Sequence, residues 1–417
     1  MEIKRDLYLD KLIKRKNNGM VKVITGIRRC GKSYLLFKIY KEYLVSIGVN
    51  PKNIIMVALD DIRNKPLRDA MSLYNYVSEK ITDDEQYYVF LDEIQFVDDF
   101  SDVINGLTHI DNIDIYVTGS NSKFLSTDIL TEFRGRGDEI KVYPLSFSEY
   151  CSVYDGTVSE AWKDYYTYGG MPLIFSCADD EAKSNYLVNL FKKVYISDII
   201  DRNNIRNDIE FENLVNVLAS SVGSLTNPKK LSNTFKSVSN SNISDKTLKQ
   251  YIDYLLDAFM LEKAMQYDVK GKKYLETLTK YYFEDVGLRN ARLDFRQQEE
   301  NHIMENIIFN ELKIRGYRVD VGVVEIWESN SKGTREHKRL EVDFIANKGN
   351  NKYYIQSAFA METTEKEKQE KRSLEKINDS FKKIVVVKDD IKLKRDENGI
   401  VTMGIYEFLL NTNSLNL

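Results

Sequence analysis

Eight residues, GIRRCGKS at positions 26–33, constrain this chain more than any other stretch. Gly26, Gly31, Lys32 and Ser33 have the spacing of a phosphate-binding loop, two glycines five apart followed by Lys and Ser. The chemistry requires these types. Glycines let the backbone turn its N–H groups inward at phosphate oxygens, and a helix beginning near Lys32 adds the positive end of its dipole. Lys32 is suited to neutralising the β and γ phosphates, and the Ser33 hydroxyl to ligating Mg2+. The apolar run VKVIT precedes the loop and the helical pattern YLLFKIYKEYL follows it, as the strand–loop–helix context demands. Gly26, Ile27, Arg28, Arg29, Cys30, Gly31, Lys32, Ser33 and Tyr34 are therefore assigned to nucleotide binding. Cys30 is either a small tolerated side chain or, at a helix start, a thiol of lowered pKa open to oxidation.

YYVFLDEIQ (87–95) supplies the second half of such a site. A buried strand ending in two carboxylates sets Asp92 to hold the magnesium through water and Glu93 to polarise the attacking water. An acidic pair after a strand is also an ordinary solvated turn, and the phosphate loop upstream favours catalysis. IDIYVTGSNSKFL runs a further strand into Thr118, Ser120 and Asn121. Ser120 is assigned to sensing the γ-phosphate, although TGSNS is equally a good turn and helix cap. In EFRGRGDEIKVYPLSFSEY, Arg134 and Arg136 lie among glycines. Arg136 is a candidate to reach the γ-phosphate of a neighbouring subunit, against the alternative of an exposed loop arginine.

Around these motifs the chain has room for two or three domains in its 417 residues. Sixty Lys+Arg against 64 Asp+Glu give a formal net charge of -4, so nucleic-acid binding, if present, is local. Three scattered cysteines give neither a disulfide framework nor a zinc pattern, and a reducing cytoplasm is expected. The amino terminus lacks the apolar core of a signal peptide and no segment is long enough to span a bilayer, so no membrane partner is expected. Over residues 21–144 the runs VKVIT, NIIMVAL, YYVFL, IDIYVT and IKVY alternate with helical patterns, the rhythm of an α/β domain with a mainly parallel sheet. Residues 145–256 carry amphipathic helical patterns. Beyond residue 300 a helical NHIMENIIFNELKIRG leads into the strand candidates YRVDVGVVEIW, LEVDFIA, KYYIQSAF and KIVVV. The expected division is 1–145, 146–290 and 291–417.

GIRRCGKS, FLDEIQ, YVTGSNS, RGRGDEIKVYPLSFSEY and YGGMPL together resemble the bacterial and archaeal AAA+-type P-loop ATPases that carry a winged-helix segment and a poorly characterised C-terminal domain. The resemblance continues through KYYFEDVGLRNARL, MENIIFNELKIRGYRV, EVDFIA and YYIQSAF, nearly the whole chain. It implies ATP and Mg2+ as ligands, a core sheet of the additional-strand, catalytic-glutamate order, and ATPase roles for Lys32, Ser33, Asp92 and Glu93. It implies no particular physiological substrate.

Residues 227–274 resemble a winged helix-turn-helix. Asn227 and Pro228 start one helix and Ser244 caps the next, on which Leu248, Tyr251, Ile252, Leu255 and Phe259 recur at helical spacing. Lys246, Lys249 and Gln250 then project outward, and Lys270, Lys272 and Lys273 mark the tip of a following hairpin, both suited to phosphate contact. Asp245 and Asp253 dilute that field, and such a module serves equally as a lid or protein-docking unit. Glu305, Asp343 and Gln356 resemble the metal site of a restriction-endonuclease-like core, with Glu341 the alternative to Glu305, and with pairing to a nearby basic residue the structural alternative for Glu305 and Asp343. The lysine of its E/Q-x-K strand is replaced by Ala358, which can neither activate water nor neutralise phosphate charge, so a degenerate, non-cleaving domain is expected. The charged run METTEKEKQEKRSLEKINDSFKK reads as a solvated helix, and the three histidines lack metal-ligand spacing.

The sequence thus reads as an ATPase of α/β fold whose cycle moves appended winged-helix and nuclease-like units, associated with DNA. A signalling ATPase that docks protein partners is the alternative, and an ATP-regulated nuclease a lesser one. A homo-oligomer is the setting in which Arg136 would act.

Overall fold

The computed structural model describes residues 3–120, 135–239, 243–297, 299–329, 334–361 and 363–417. Arg134 and Asn121 lie outside them. The chain divides into two compact units, Met1–Pro144 with Asp257–Phe259, and Leu145–Leu256 with Met260–Leu417.

The first unit is built on five parallel strands, β1 (Val21–Thr25), β2 (Ile54–Ala58), β3 (Tyr87–Asp92), β4 (Ile113–Thr118) and β5 (Gly137–Lys141). Their order is β2-β3-β4-β1-β5, so β4 lies between the strand leading into GIRRCGKS and the strand ending in Asp92. The near-continuous apolar runs follow from burial of both faces, as parallel sheets require. On one face Val23, Val57, Leu91 and Val117 pack with Leu73, Val77, Ile104 and Leu107 of two helices, Ala70–Glu79 and Phe100–Leu107. Adjacent register positions Lys22, Tyr116 and Phe90 carry a different chemistry. Lys22 is fully buried and pairs with Asp114, which also accepts from the Tyr116 hydroxyl (2.7 Å) and from the Asn17 N–H (2.9 Å). Tyr40, from the helical stretch after the phosphate loop, completes this network at 2.6 Å from the Tyr116 hydroxyl. β5 ends two residues earlier than IKVY suggests, because the Tyr143 N–H is taken by the Tyr8 hydroxyl (3.0 Å) instead of by β1.

The second unit begins with helices, among them Val158–Tyr168, Asp208–Ser220, Pro228–Ser239 and Asp245–Asp257. Thr157 and Glu160 form a reciprocal capping box on the first of these. That helix ends at Gly169, whose φ of 72° puts it in the left-handed region favoured by glycine. An added Cβ there would meet the Asp285 carboxylate at 2.3 Å. Asp285 accepts from the N–H groups of Gly170 (2.7 Å) and Leu288 (2.9 Å), stitching YGGMP to FEDVG.

Eight strands complete the unit: β6 (Leu261–Asp268), β7 (Lys273–Phe283), β8 (Arg318–Ser329), β9 (Arg335–Lys348), β10 (Asn351–Ala358), β11 (Lys382–Val387), β12 (Lys394–Arg395) and β13 (Val401–Gly404). Their order is β12-β13-β11-β10-β9-β8-β6-β7. The two shortest, β12 and β13, carry no alternation long enough to read from sequence. The β6–β7 hairpin is part of this large sheet, with Gln266, Tyr267 and Asp268 running parallel to Val321, Gly322 and Val323 of β8. The sheet therefore runs continuously from residues 261–283 into residues 318–404. Phe259 is not on the buried helix face that its spacing suggests: the helix stops at Asp257, and Phe259 sits beyond it at φ 54°. The charged run 361–383 contains the helix Thr364–Glu375, with Leu374 and Ile377 in the core; its Lys371 is buried against Glu367 (2.6 Å) and Asp396 (2.9 Å).

Candidate active site at the carboxyl edge of the parallel sheet

All the strands of the first sheet run the same way, so their carboxyl ends share one edge, where ligands of open α/β sheets gather. β1 delivers the loop 26–31 there. Gly26 has φ 137° and Gly31 φ 103°; a Cβ on Gly26 would come within 2.0 Å of the Val142 carbonyl oxygen. Only glycine permits this approach. Lys32, buried at the start of the following helix, donates to the carbonyls of Gly26 (2.9 Å) and Ile27 (3.2 Å), folding the loop around its own ammonium. Cys30 is fully buried and its thiol donates to Val142 O (3.3 Å), which withdraws it from oxidation at the surface. Arg28 is half-buried, while Arg29, Ser33 and Tyr34 are exposed and Ile27 is buried.

The register pairs Ala58 with Asp92 and Ile24 with Thr118. Thr118 stands between the loop and the acidic pair. Its hydroxyl donates to Asp92 Oδ1 (2.5 Å) and accepts from the Glu93 N–H (2.9 Å). Burial pushes the Asp92 carboxyl up from its ordinary range, while hydrogen bonds from Thr118 and Ser33 pull it back. Glu93 adopts left-handed backbone angles (φ 52°, ψ 50°), a conformation costing a non-glycine residue about 1–3 kcal/mol and concentrated at functional sites. Its Oε2 accepts from Ser120 (3.3 Å) and from the Gln95 amide. The structure thus brings together Lys32, Ser33, Asp92, Glu93 and Ser120. A hydroxyl hydrogen-bonded to a carboxylate, beside a lysine, is the hard-oxygen donor set that Mg2+ accepts while keeping phosphate and water ligands. The residues fit a magnesium nucleotide.

Arg136 is not brought to this edge. Its carbonyl accepts from the Val21 N–H (2.8 Å) and Gly137 pairs with Val21, so it lies at the amino end of the five-residue strand β1. At ~3.3 Å per residue that is about 16 Å away along the sheet. Within its own chain Arg136 cannot touch a nucleotide held by the loop. Sequence reading missed Arg5, which is buried and donates to Tyr143 O (2.6 Å) and to the loop carbonyl of Cys30 (3.4 Å). An arginine just ahead of a charged amino-terminal helix gives no local signal of that role.

In the second unit Lys246, Lys249, Lys270, Lys272 and Lys273 are exposed. Asp268 shapes the hairpin tip by accepting from the N–H groups of Lys270 (3.1 Å) and Gly271 (2.9 Å), and the Lys270 ammonium donates to Glu325 O (3.0 Å) of β8. Glu305, Asp343 and Gln356 do converge, and with them Glu341, the alternative to Glu305, and Lys280, which carried no assignment. Lys280 opens the stretch KYYFEDVGLRNARL, but nothing in that stretch shows where its ammonium goes, and only the sheet pairing reveals it. Among the described residues no group of three or more His, Cys, Asp or Glu is arranged to hold a metal ion. No helix among them is long and apolar enough to cross a membrane.

Residues 18–151 match the family described as AAA domain. Residues 159–299 match Domain of unknown function (DUF8612), and residues 300–408 match Domain of unknown function (DUF4143). An uncharacterized protein of Haemophilus influenzae is 35% identical over 415 residues, 98% of either chain. One of Methanocaldococcus jannaschii is 30% identical over 393 residues, 90% of this chain and 82% of that protein. Among solved structures, the Aeropyrum pernix Orc1 protein in complex with DNA aligns over 70% of this chain and 92% of its own, at 11% identity and a TM-score of 0.30. The chain carries an AAA-type P-loop domain followed by two domains of unknown function, and it belongs to one family with the Haemophilus and Methanocaldococcus proteins.

Proposed function

We propose that this protein hydrolyses ATP with magnesium and uses the cycle to rearrange a winged-helix segment and a restriction-endonuclease-like domain, in association with DNA. The reading divides the chain into an ATPase domain (1–145), a helical and winged-helix region (146–290) and a C-terminal domain (291–417). The observation that carries it is the hydrogen-bonded line from Ser33 through Asp92 and Thr118 to Glu93, beside Lys32 and the glycine-lined loop.

In this proposal the N–H groups of residues 26–34 cradle the phosphates, and Lys32 exchanges its loop carbonyls for β- and γ-phosphate oxygens. Ser33 and Asp92 hold Mg2+, which supplies charge neutralisation on the transferring phosphoryl group. Glu93 accepts a proton from the attacking water. Thr118 fixes Asp92 and the Glu93 backbone together, and Ser120 and Gln95 orient the Glu93 carboxylate. Arg136, exposed at the opposite edge, would act only on the site of a second copy in a homo-oligomer.

Support for the winged-helix reading is the succession of three helices and a hairpin, with Thr226 between the first two helices bridged to Thr279 of β7. Support for DNA contact is local charge, Lys246 and Lys249 on one helix and Lys270, Lys272 and Lys273 on the hairpin tip. The test is magnesium-dependent ATP hydrolysis by the native chain and by Glu93→Gln, with and without single- and double-stranded DNA. Native turnover should rise with DNA, and the substitution should lower it by about 10²–10⁴-fold while nucleotide still binds. A native chain without turnover would overturn the ATPase reading. Turnover indifferent to DNA would keep it and turn the partner into a protein.

A further inference from the structure

The nuclease-like resemblance lacks its lysine because Ala358 occupies that place on β10. The structure explains why no ammonium can be there: Ala358 is 1% exposed and packed in the apolar cluster with Ile345, Tyr354 and Val387. A lysine nevertheless reaches the carboxylates from another strand. Lys280 of β7 is buried, and its Nζ lies 2.8 Å from Glu305 Oε1, 2.6 Å from Glu341 Oε1 and 3.6 Å from Asp343 Oδ1.

Each group that a metal would need is already committed. Glu305 Oε1 accepts from both Lys280 and the Tyr282 hydroxyl (2.7 Å). Asp343 Oδ2 accepts from the Ser357 N–H (2.8 Å), and Gln356 Oε1 from the Asp343 N–H (3.4 Å). The ammonium donates to Glu305 and forms ion pairs with Glu341 and Asp343, so one positive charge answers three carboxyl groups, which is the service a bound cation would perform. It also repels any second cation placed among the same oxygens, strongly so where water is excluded.

We propose that the Lys280 ammonium is the resident cation of this pocket, standing where a divalent metal stands in nucleases of the resembled fold, and clasping β7 to β9 and to the helix Glu300–Ile314. The pocket is then a metal-free clasp and not a cleavage centre. Any nucleic acid engaged by this unit is bound and left intact. The proposal goes beyond the ATPase reading and is independent of it.

The test is Mn2+ titration of the full-length protein without nucleotide, read by loss of the free-ion electron paramagnetic resonance signal. The wild type and Asp343→Asn should give superimposable curves. Lys280→Met should gain one equivalent of Mn2+ bound at least tenfold more tightly, and the added Asp343→Asn should remove it. Wild-type uptake that Asp343→Asn abolishes would overturn the proposal and return the pocket to metal chemistry. A folded Lys280→Met chain that gains no Mn2+ would overturn it too, since the ammonium would not then be standing in a cation's place. Should Lys280→Met fail to fold by circular dichroism, the wild-type comparison with Asp343→Asn decides alone.

Discussion

Lys22 is the least expected residue in the parallel sheet, a lysine inside the apolar run VKVIT with no exposed surface. Burial depresses its pKa while Asp114 raises it, so the pair is held by each other and by Tyr116 and Asn17. Removing one partner leaves an uncompensated buried charge, and Lys22→Met should cost about 3–5 kcal/mol. Calorimetry of the full chain should show the transition containing the AAA domain several degrees lower; an unmoved transition would mean the pair contributes nothing. Thr118→Val is subtler. It keeps shape but strips Asp92 of a donor and the Glu93 N–H of an acceptor, each loss worth about 1–3 kcal/mol where buried. We expect a lowered kcat and weaker magnesium dependence with the fold intact, checked by kinetics against Mg2+ concentration.

At the scale of elements, Asp285 joins the helix end at Gly169 to the helix Val286–Arg292 through backbone N–H groups alone. Burial raises its carboxyl from 3.8 to about 6 despite those donors. Between these values the folded chain retains a proton that the unfolded chain has released, so stability falls as pH rises through the window, by about 3 kcal/mol for this group. Urea midpoints between pH 4 and 6.5 should therefore decline more steeply for the wild type than for Asp285→Asn. Parallel slopes would show that the carboxyl is ionised throughout. The hairpin lysines belong to the same scale. Because β6 pairs with β8, substituting Lys270, Lys272 and Lys273 with glutamate leaves the hairpin anchored in its sheet, so under the proposed DNA association the triple substitution should abolish retention on DNA through lost charge, and unchanged retention would remove the hairpin from that proposal.

For the whole molecule, the sheet that begins at residue 261 and ends at residue 404 sets which fragments can fold. A chain of residues 300–417 lacks β6 and β7, leaves one side of β8 unpaired and lacks Lys280 among its carboxylates. It should be expressed as an aggregating or partly folded species. Residues 145–417 keep every strand of the sheet and should unfold cooperatively in urea, monitored by circular dichroism. A cooperatively folded 300–417 fragment would show that the sheet is divisible.

The phosphate loop, the acidic pair and four of the five strands of the first sheet were legible in the sequence almost residue by residue, because they depend on local patterns. Glycine positions report backbone geometry, and apolar runs report burial on both faces of a parallel sheet. The same locality made the helix Asp245–Asp257 readable through its cap at Ser244, although not its true end before Phe259. What the tertiary structure alone decided are the pairings between distant strands and the side chains they deliver. Arg5 at the loop, Arg136 at the amino end of β1 and Lys280 in the carboxylate pocket all owe their places to register and topology. Local sequence carries no trace of such placements, since a lysine on a strand reads the same whether its ammonium meets water or, as Lys280 does, Glu305 of a helix 25 residues away.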